Sequence, residues 1–157
     1  MRRPIFALVS SLAPLLFAAP SAAQDREVPY WATIRAEEVN MRAGPSERFP
    51  IEWVYRRAGL PVKVVRVMQG WRLVEDPDGE RGWIVARLLD PDRGAIVVGE
   101  GLAEMRASPE ADAAVRWRAE PGVVGGLGSC TEGWCPFDVG GRTGWVRAER
   151  LWGAGEP

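Results

Sequence analysis

A hairpin motif occurs twice in this chain of 157 residues and constrains the fold more than any other feature. In each copy, two Gly-Trp pairs flank a turn signal of the Asp-Gly or Gly-Gly type. The first copy has Gly70-Trp71, Asp78-Gly79 and Gly82-Trp83, and the second has Gly133-Trp134, Gly140-Gly141 and Gly144-Trp145. Because such glycine-containing pairs tolerate the positive φ angles of a tight β-turn, the repeat predicts two copies of one small β unit.

The distance between the copies is nearly constant, which favours a duplicated unit over a chance recurrence. Met41 and Met105 are 64 positions apart, and Trp83 and Trp145 are 62 apart. Between the repeated motifs, the valine-rich segment 62–67 predicts a strand, since β-branched side chains suit a half-buried pleated surface. Segment 51–56 fits either a strand or a short helical turn, and segment 95–98 fits a strand of either unit.

The first 23 residues have the features of a cleavable signal peptide. Arg2 and Arg3 precede an apolar run over residues 5–19, and small residues lead to a predicted cleavage site after Ala23. The run is interrupted by Pro14 and is shorter than the roughly 20 apolar residues of a membrane-spanning helix. We therefore expect a periplasmic or secreted protein that is not membrane-anchored after cleavage, with residues 24–30 as a flexible lead-in.

Charge and composition exclude several classes of function. The chain has 20 basic and 21 acidic residues, which leaves no basic surface excess for binding nucleic acid. It contains no histidine, which is the commonest general base and metal ligand. A Gly-x-Ser-x-Gly nucleophile motif is also absent. The sequence therefore predicts a protein that is not an enzyme and has neither a cofactor nor a metal.

The two cysteines are predicted to form a disulfide. Four residues separate Cys130 from Cys135, and this spacing can bring the two side chains together across a hairpin. A structural zinc site would need two further soft ligands, and a redox pair has the shorter Cys-x-x-Cys spacing. An oxidising compartment outside the cytoplasm favours the disulfide.

The ordered set of motifs resembles the tandem bacterial SH3 family of exported proteobacterial proteins. The segments that carry the resemblance are 40–45, 59–62, 70–72, 78–79 and 82–83 in the first copy and 133–135, 144–146 and 151–153 in the second. The resemblance implies an all-β fold of two small SH3-like barrels in tandem, each with about five strands. We assign residues 31–98 to the first domain and residues 99–153 to the second.

The same resemblance implies binding outside the cytoplasm. Members of the family bind cell-wall peptidoglycan or protein partners, and in wall hydrolases they accompany a separate catalytic domain. The leading hypothesis is therefore a non-catalytic module that binds peptidoglycan or its peptide stems. The alternative is an adaptor that docks an envelope enzyme or membrane complex, and a cell-wall hydrolase is a third and more remote one.

An SH3-like groove reads its ligand on aromatic side chains, which directs attention to Trp53 and Tyr55 as an exposed aromatic surface. The loop that contains Arg42, Gly44 and Pro45 lies beside the groove in the family's fold. Arg42 could offer a forked donor to a carboxylate or could bridge strands within its own unit. The candidate ligand-binding residues are Arg42, Gly44, Pro45, Trp53, Tyr55 and Trp71.

A second set of recurring residues is assigned to structure, because their recurrence in two diverged copies indicates packing over the open side of the barrel. This set comprises Gly82, Trp83, Trp134, Gly144 and Trp145, with Trp71 as an equivalent of Trp134.

The acidic residues Asp76, Asp78 and Glu80 suggest a calcium site, since closely spaced carboxylates can form an oxygen cage. The second copy has Val139-Gly140-Gly141 there, with no acid. The shared feature is therefore the turn, and the hairpin interpretation is preferred to calcium.

Overall fold

The computed structural model describes residues 26–157, which form two seven-stranded antiparallel sheets. The predicted signal peptide and its cleavage site lie outside the described residues. The all-β fold predicted from the sequence is confirmed. Within residues 26–157, no helix has the length and apolar character needed to cross a bilayer.

The strands of the first unit follow the predicted hairpins closely. They are β1 Tyr30–Ile34, β2 Val39–Arg42, β3 Ile51–Tyr55, β4 Pro61–Met68, β5 Trp71–Glu75, β6 Arg81–Val85 and β7 Leu89–Asp90, in the sheet order β3-β2-β6-β5-β4-β1-β7. Segment 51–56, which was ambiguous from sequence, is the edge strand β3. Tyr30 already belongs to β1, so the lead-in ends one residue earlier than expected.

The second unit repeats this order strand for strand. Its strands are β8 Gly94–Val97, β9 Ala103–Arg106, β10 Val115–Ala119, β11 Val124–Leu127, β12 Trp134–Val139, β13 Arg142–Arg147 and β14 Leu151–Trp152, in the sheet order β10-β9-β13-β12-β11-β8-β14. A short 3-10 turn precedes the last strand of each unit, over Ala86–Leu88 and Ala148–Arg150.

One boundary from the sequence analysis needs correction. Strand β8 pairs with β11 and β14 of the second sheet, with Ile96 opposite Val124 and Trp152. The first sheet is already closed by β7 on β1. The second unit therefore includes Gly94–Val97, which the predicted range 31–98 had placed in the first domain.

The two tight turns form as the sequence predicts. Gly79 has φ +86° in the first hairpin, and Gly140 and Gly141 have φ +60° and +86° in the second. Positive φ is unfavourable for side chains with a Cβ, so these glycines fix where each hairpin reverses.

Each unit has its own apolar core, and the two cores are filled differently. Val62, Val64 and Val74 are fully buried in the first unit. In the second unit, the position of Val62 is taken by Gly125 and that of Val74 by Phe137, as the strand register shows. A Cβ at Gly125 would lie 2.9 Å from the Phe137 ring. The glycine therefore leaves the space that the larger ring occupies.

The predicted disulfide is present between Cys130 and Cys135, whose Cα atoms are 4.1 Å apart. It closes the connection from β11 to β12, where Thr131 and Trp134 exchange backbone hydrogen bonds of 2.8 and 2.9 Å. Cys135 is fully buried in the second core, while Cys130 is exposed. The disulfide thus links the exposed turn between β11 and β12 to the core of the second unit.

The two units contact each other directly. The rings of Trp31 and Trp152 meet edge to face with centroids 4.8 Å apart, and the Trp31 indole N–H donates to the carbonyl of Gly155 at 3.1 Å. The Arg57 guanidinium donates to the carbonyl of Gly122 at 2.6 Å. These contacts bring a strand of the second unit against the first, which affects the site described next.

Candidate functional site

A groove of about 730 Å³ lies on the first unit, between edge strand β3 and the turn that joins β5 to β6. We call it the Trp53 groove. Its apolar lining is Met41, Trp53, Tyr55, Leu60, Pro77 and Ile96, and its polar lining is Glu52, Asp76, Asp78, Glu80 and Arg81. Ile96 belongs to β8, so the second unit completes the groove.

Trp53 is the exposed aromatic residue of the groove. It lies on β3 opposite Met41, and its side chain is 58% exposed although it is large and apolar. Within the described part of the chain, no cation or second ring stacks on it. The indole therefore presents a free face above an apolar floor, as predicted for this residue.

Tyr55 is a wall of the groove rather than a second exposed ring, so the expectation of an exposed Tyr55 is wrong. The side chain is 5% exposed, and its hydroxyl donates to Asp76 Oδ2 at 2.9 Å. The Met41 sulfur lies 3.4 Å from the same hydroxyl. Burial, together with the hydrogen bond to the Asp76 carboxylate, raises the pKa of Tyr55 well above its usual value. Tyr55 therefore stays neutral.

Asp76 organises both the turn and the groove wall. Its Oδ1 accepts backbone N–H bonds from Asp78 at 3.0 Å and Glu80 at 2.9 Å, while Oδ2 accepts from Tyr55. A carboxylate engaged in this way is a capping group for the turn. Within residues 26–157, no cluster of acidic or cysteine side chains is placed to hold a metal ion.

The rim of the groove is acidic. Glu52, Asp78 and Glu80 form no ion pair with any described residue. Arg81 is the only cation among the described residues of the lining, and it is bound to Glu75, with Nε 2.7 Å from Oε2. Lys63 also contacts Glu75 at 2.6 Å, and these two cations lower the pKa of Glu75. Arg81 and Lys63 thus share the Glu75 carboxylate, which is not part of the groove lining.

Comparison with known protein families decides what kind of units these are. The model of the bacterial SH3 domain matches residues 35–91 and again residues 99–153. The chain belongs to the bacterial SH3 domain family. The Trp53 groove therefore lies on the first bacterial SH3 unit, with Ile96 contributed by the second.

One curated relative is the "Putative N-acetylmuramoyl-L-alanine amidase YrvJ" of Bacillus subtilis (strain 168). It is 25% identical over an alignment of 136 residues, and the match covers 79% of this chain and 26% of the relative. The chain therefore spans about a quarter of the relative's length.

Two solved structures match over most of this chain, with TM-scores below 0.5 and low sequence identity. NlpC2 from Trichomonas vaginalis has a TM-score of 0.37 and 12% identity, and the match covers 82% of this chain and 49% of that one. An NlpC/P60 family protein from Bacillus cereus ATCC 10987 has a TM-score of 0.36 and 13% identity, with 78% and 56% covered.

The loop after β2 of the first SH3 unit does not line the groove, and Arg42 makes hydrogen bonds within that loop. Its guanidinium Nη1 donates to the carbonyls of Phe49 at 2.8 Å and Glu47 at 3.2 Å. Of the two roles that the sequence left open for Arg42, the structure shows the internal bridge. Gly44 is buried against the Phe49 ring, and a Cβ built on Gly44 would lie 2.6 Å from that ring. Pro45, the next residue, is half-buried.

The structure thus brings together Trp53 and Tyr55 from the predicted ligand-binding set. Arg42, Gly44, Pro45 and Trp71 are not part of the groove lining. Trp71 is half-buried at the start of β5, opposite Val85.

The residues assigned to structure occupy packed positions. Trp83 and Trp134 are 8% and 6% exposed, and Trp145 is half-buried. Gly82 and Gly144 lie against Met41 and Met105, where a Cβ would approach side-chain atoms at 2.4 and 2.8 Å. Each glycine lets the adjacent methionine strand approach closely.

The sequence analysis missed a second exposed tryptophan at the same place in the second unit. Trp117 lies opposite Met105 as Trp53 lies opposite Met41, and it is 45% exposed. The signal was present, because Trp53 and Trp117 are separated by 64 residues, as are the two methionines. The contribution of Ile96 depends on how the units pack and has no sequence signal.

Proposed function

We propose that this protein is a non-catalytic module of the cell envelope that binds peptidoglycan or its peptide stems in the Trp53 groove. The observation that carries the proposal is a tryptophan 58% exposed above an apolar floor, in a groove of about 730 Å³. Concave sites with an aromatic platform and a few polar groups are typical of ligand binding. Such a ring can stack on a sugar or a peptide.

The comparisons support an association with the wall. The name of the B. subtilis relative refers to N-acetylmuramoyl-L-alanine, which is a unit of peptidoglycan. The matching region is 26% of that protein, which fits a role as an accessory region for binding. The disulfide, together with the predicted signal peptide, supports a periplasmic or secreted location.

The side chains present also support a role without catalysis. The sequence has no histidine, and both cysteines are held in the disulfide. Asp76 is the buried carboxyl group among the described residues, and its oxygens are engaged by Tyr55 and the turn. A general acid or base needs a proton that it can exchange with substrate, whereas this carboxylate faces its own turn.

Sedimentation of the mature, oxidised protein with purified peptidoglycan sacculi tests the proposal. We expect the wild type to sediment and Trp53→Ala to weaken binding roughly tenfold or more, as loss of a central aromatic contact does. Trp117→Ala is the matched control, since it removes the equivalent exposed ring of the second unit. No soluble wall fragments should appear during incubation. A wild-type protein that stays in the supernatant would refute wall binding.

A second candidate function is docking of an envelope enzyme or membrane complex. It is favoured by the position of β3 at the edge of its sheet, with Ile51 46% exposed. An exposed edge can accept a strand from a partner. A photo-crosslinker at position 51 should then trap one defined envelope protein in cells, and the purified module should not bind sacculi.

A further inference from the structure

The two exposed tryptophans occupy equivalent positions but have opposite electrostatic surroundings. In the second unit, the Arg142 guanidinium lies 5.5 Å from the centroid of the Trp117 ring. A cation at this distance over an indole is held by the negative face of the ring. The second unit therefore supplies its own cation to its own tryptophan.

The first unit has an acid where the second has that cation. Arg142 lies two residues before Gly144 in β13, and the residue two positions before Gly82 in β6 is Glu80. Both glycines pack against the methionine that faces the exposed tryptophan. With Glu80 at the position of Arg142, no guanidinium of residues 26–157 stacks on the Trp53 ring, and a carboxylate lines the same groove.

The other carboxylates of the Trp53 groove act in the same direction as Glu80. Glu52 and Asp78 line it with Glu80, and none of the three has an ion-pair partner among residues 26–157. Arg81 is paired with Glu75, which also pairs with Lys63. Among the described lining residues, four carboxylates outnumber this one cation. A bare indole face ringed by unpaired carboxylates is complementary to an ammonium group, through cation–π attraction and charge-assisted hydrogen bonds.

We propose that the Trp53 groove binds a primary ammonium group of an uncrosslinked peptidoglycan stem, in the place that Arg142 fills on Trp117. This inference rests on the proposed function and specifies the chemistry of its ligand. Stem peptides that contain a diamino acid carry a side-chain ammonium wherever they are not crosslinked. The apolar floor of Met41, Leu60 and Ile96 suits the methylene chain that carries the ammonium.

Capping the amines of the wall tests this without altering the protein. We expect native sacculi to bind the module, and sacculi treated with acetic anhydride, whose amines are neutral amides, to bind it roughly tenfold less. Equal binding to both preparations would overturn the ammonium inference while leaving wall binding intact.

A charge series at position 80 tests the site. Glu80→Gln removes the carboxylate and should weaken binding to native sacculi roughly threefold to tenfold. Glu80→Arg recreates the Arg142 arrangement and should abolish binding, because an internal guanidinium then occupies the Trp53 face. Glu120→Gln, an exposed acid of the second unit, is the matched control. Binding that is equal in all four proteins would overturn the proposed site. Position 80 is exposed, so each variant is expected to fold like the wild type. Circular dichroism checks this.

Titration with a soluble probe separates this inference from the proposed function. In the NMR spectrum, the indole N–H signal of Trp53 is identified by its absence in Trp53→Phe. Its chemical shift should change on adding Nα-acetyl-lysine methylamide. It should not shift with the Nα,Nε-diacetyl form or in Glu80→Arg. Absence of any shift would overturn the inference. If the probe shifts the signal but the protein does not bind sacculi, the wall is not the source of the ammonium group. A lysine of a protein partner would then be the ligand.

Discussion

The two bacterial SH3 units have one strand order but stabilise it by different means. The first fills its core with the buried valines 62, 64 and 74, whereas the second has Gly125 and Phe137 at two of these positions. The second unit also has the disulfide that the first lacks. The comparison shows that the sheet topology tolerates exchange of core volume between neighbouring strands, provided that one position shrinks where its neighbour grows.

The polar interior of the groove differs as well. Tyr55 and Asp76 are hydrogen-bonded in the first unit, and the register places Ala119 and Val139 at these positions in the second. The second unit therefore has no counterpart of this hydrogen bond, and its exposed tryptophan is covered by Arg142. A shared fold thus presents different side chains at equivalent places in its two copies, and a few side chains determine what each surface can bind.

The largest effect is expected from Phe137→Ala. The ring is 1% exposed and fills the space left by Gly125, so its loss should reduce the free energy of unfolding by about 3–5 kcal/mol. Urea denaturation followed by circular dichroism measures this. Val74→Ala is the matched variant in the first unit and should cost about 2 kcal/mol, since fewer methylene equivalents are removed. Equal losses would show that the second core does not depend on one large ring.

Loss of the disulfide should have the next largest effect. Replacing both Cys130 and Cys135 should lower the free energy of unfolding by about 2 kcal/mol, the chain-entropy value for so short a loop. Cys130→Ser with Cys135→Ala suits one exposed and one buried position. Thermal unfolding with and without reductant measures the effect, and reductant should not change the melting temperature of the double variant. If reductant does not change the melting temperature of the wild type, the disulfide does not stabilise the fold.

Tyr55→Phe removes the hydroxyl that joins the groove wall to Asp76, and it should cost about 1–2 kcal/mol at pH 7. The pKa of Tyr55 is raised in the folded state, whereas the pKa of a tyrosine in an unfolded chain is about 10. Above that pH, the unfolded chain gives up a proton that the folded chain keeps. The contribution of Tyr55 to stability is therefore complete below about pH 10 and is lost as the pH rises further.

Urea denaturation of wild type and Tyr55→Phe at a series of pH values up to about 11 measures this difference. The second tyrosine, Tyr30, is common to both proteins and cancels in the comparison. A difference in stability that stays constant from pH 7 to 11 would mean that the Tyr55 hydroxyl is not protected in the folded state.

Much of the fold was predictable because turns and strands are encoded locally. Gly79, Gly140 and Gly141 are needed for positive φ, and the Cys130–Cys135 spacing fits a hairpin. The assignment of Gly94–Val97 to the second sheet was not predictable in the same way. A short apolar segment between two repeats can pair with either, and the choice depends on the partners available at β11 and β14.

The site was less predictable than the fold, because burial depends on distant partners. Trp53 and Tyr55 have the same sequence signature, yet one is 58% exposed and the other 5%. Tyr55 packs in the core of the first unit and donates its hydroxyl to Asp76, which is 21 positions away in the sequence. In the sequence, Asp76, Asp78 and Glu80 indicate only a turn or, as the alternative, a calcium site. Its relation to Trp53 required the three-dimensional register of β3 and the β5–β6 turn.

The smallest effect is expected from Arg42→Ala, which the sequence left open as a ligand contact. Its guanidinium bonds to the carbonyls of Glu47 and Phe49 on a partly exposed loop, so its loss should cost about 1 kcal/mol or less. Binding to sacculi should be unchanged, in contrast to Trp53→Ala. Arg106→Ala is the matched variant, since Arg106 donates to the Ala113 carbonyl at 2.6 Å in the equivalent loop.

The pair of arginine variants therefore decides whether these loops are structural in both units. If both lose a little stability and neither changes binding, the loops only shape their own turns, and recognition belongs to the groove. If Arg42→Ala alone abolishes binding while its unfolding curve matches that of Arg106→Ala, the guanidinium must leave its carbonyl partners to meet the ligand. A carboxylate would then be a recognised group, because arginine pairs with carboxylates through its forked donors. The site would extend from the Trp53 groove across β2.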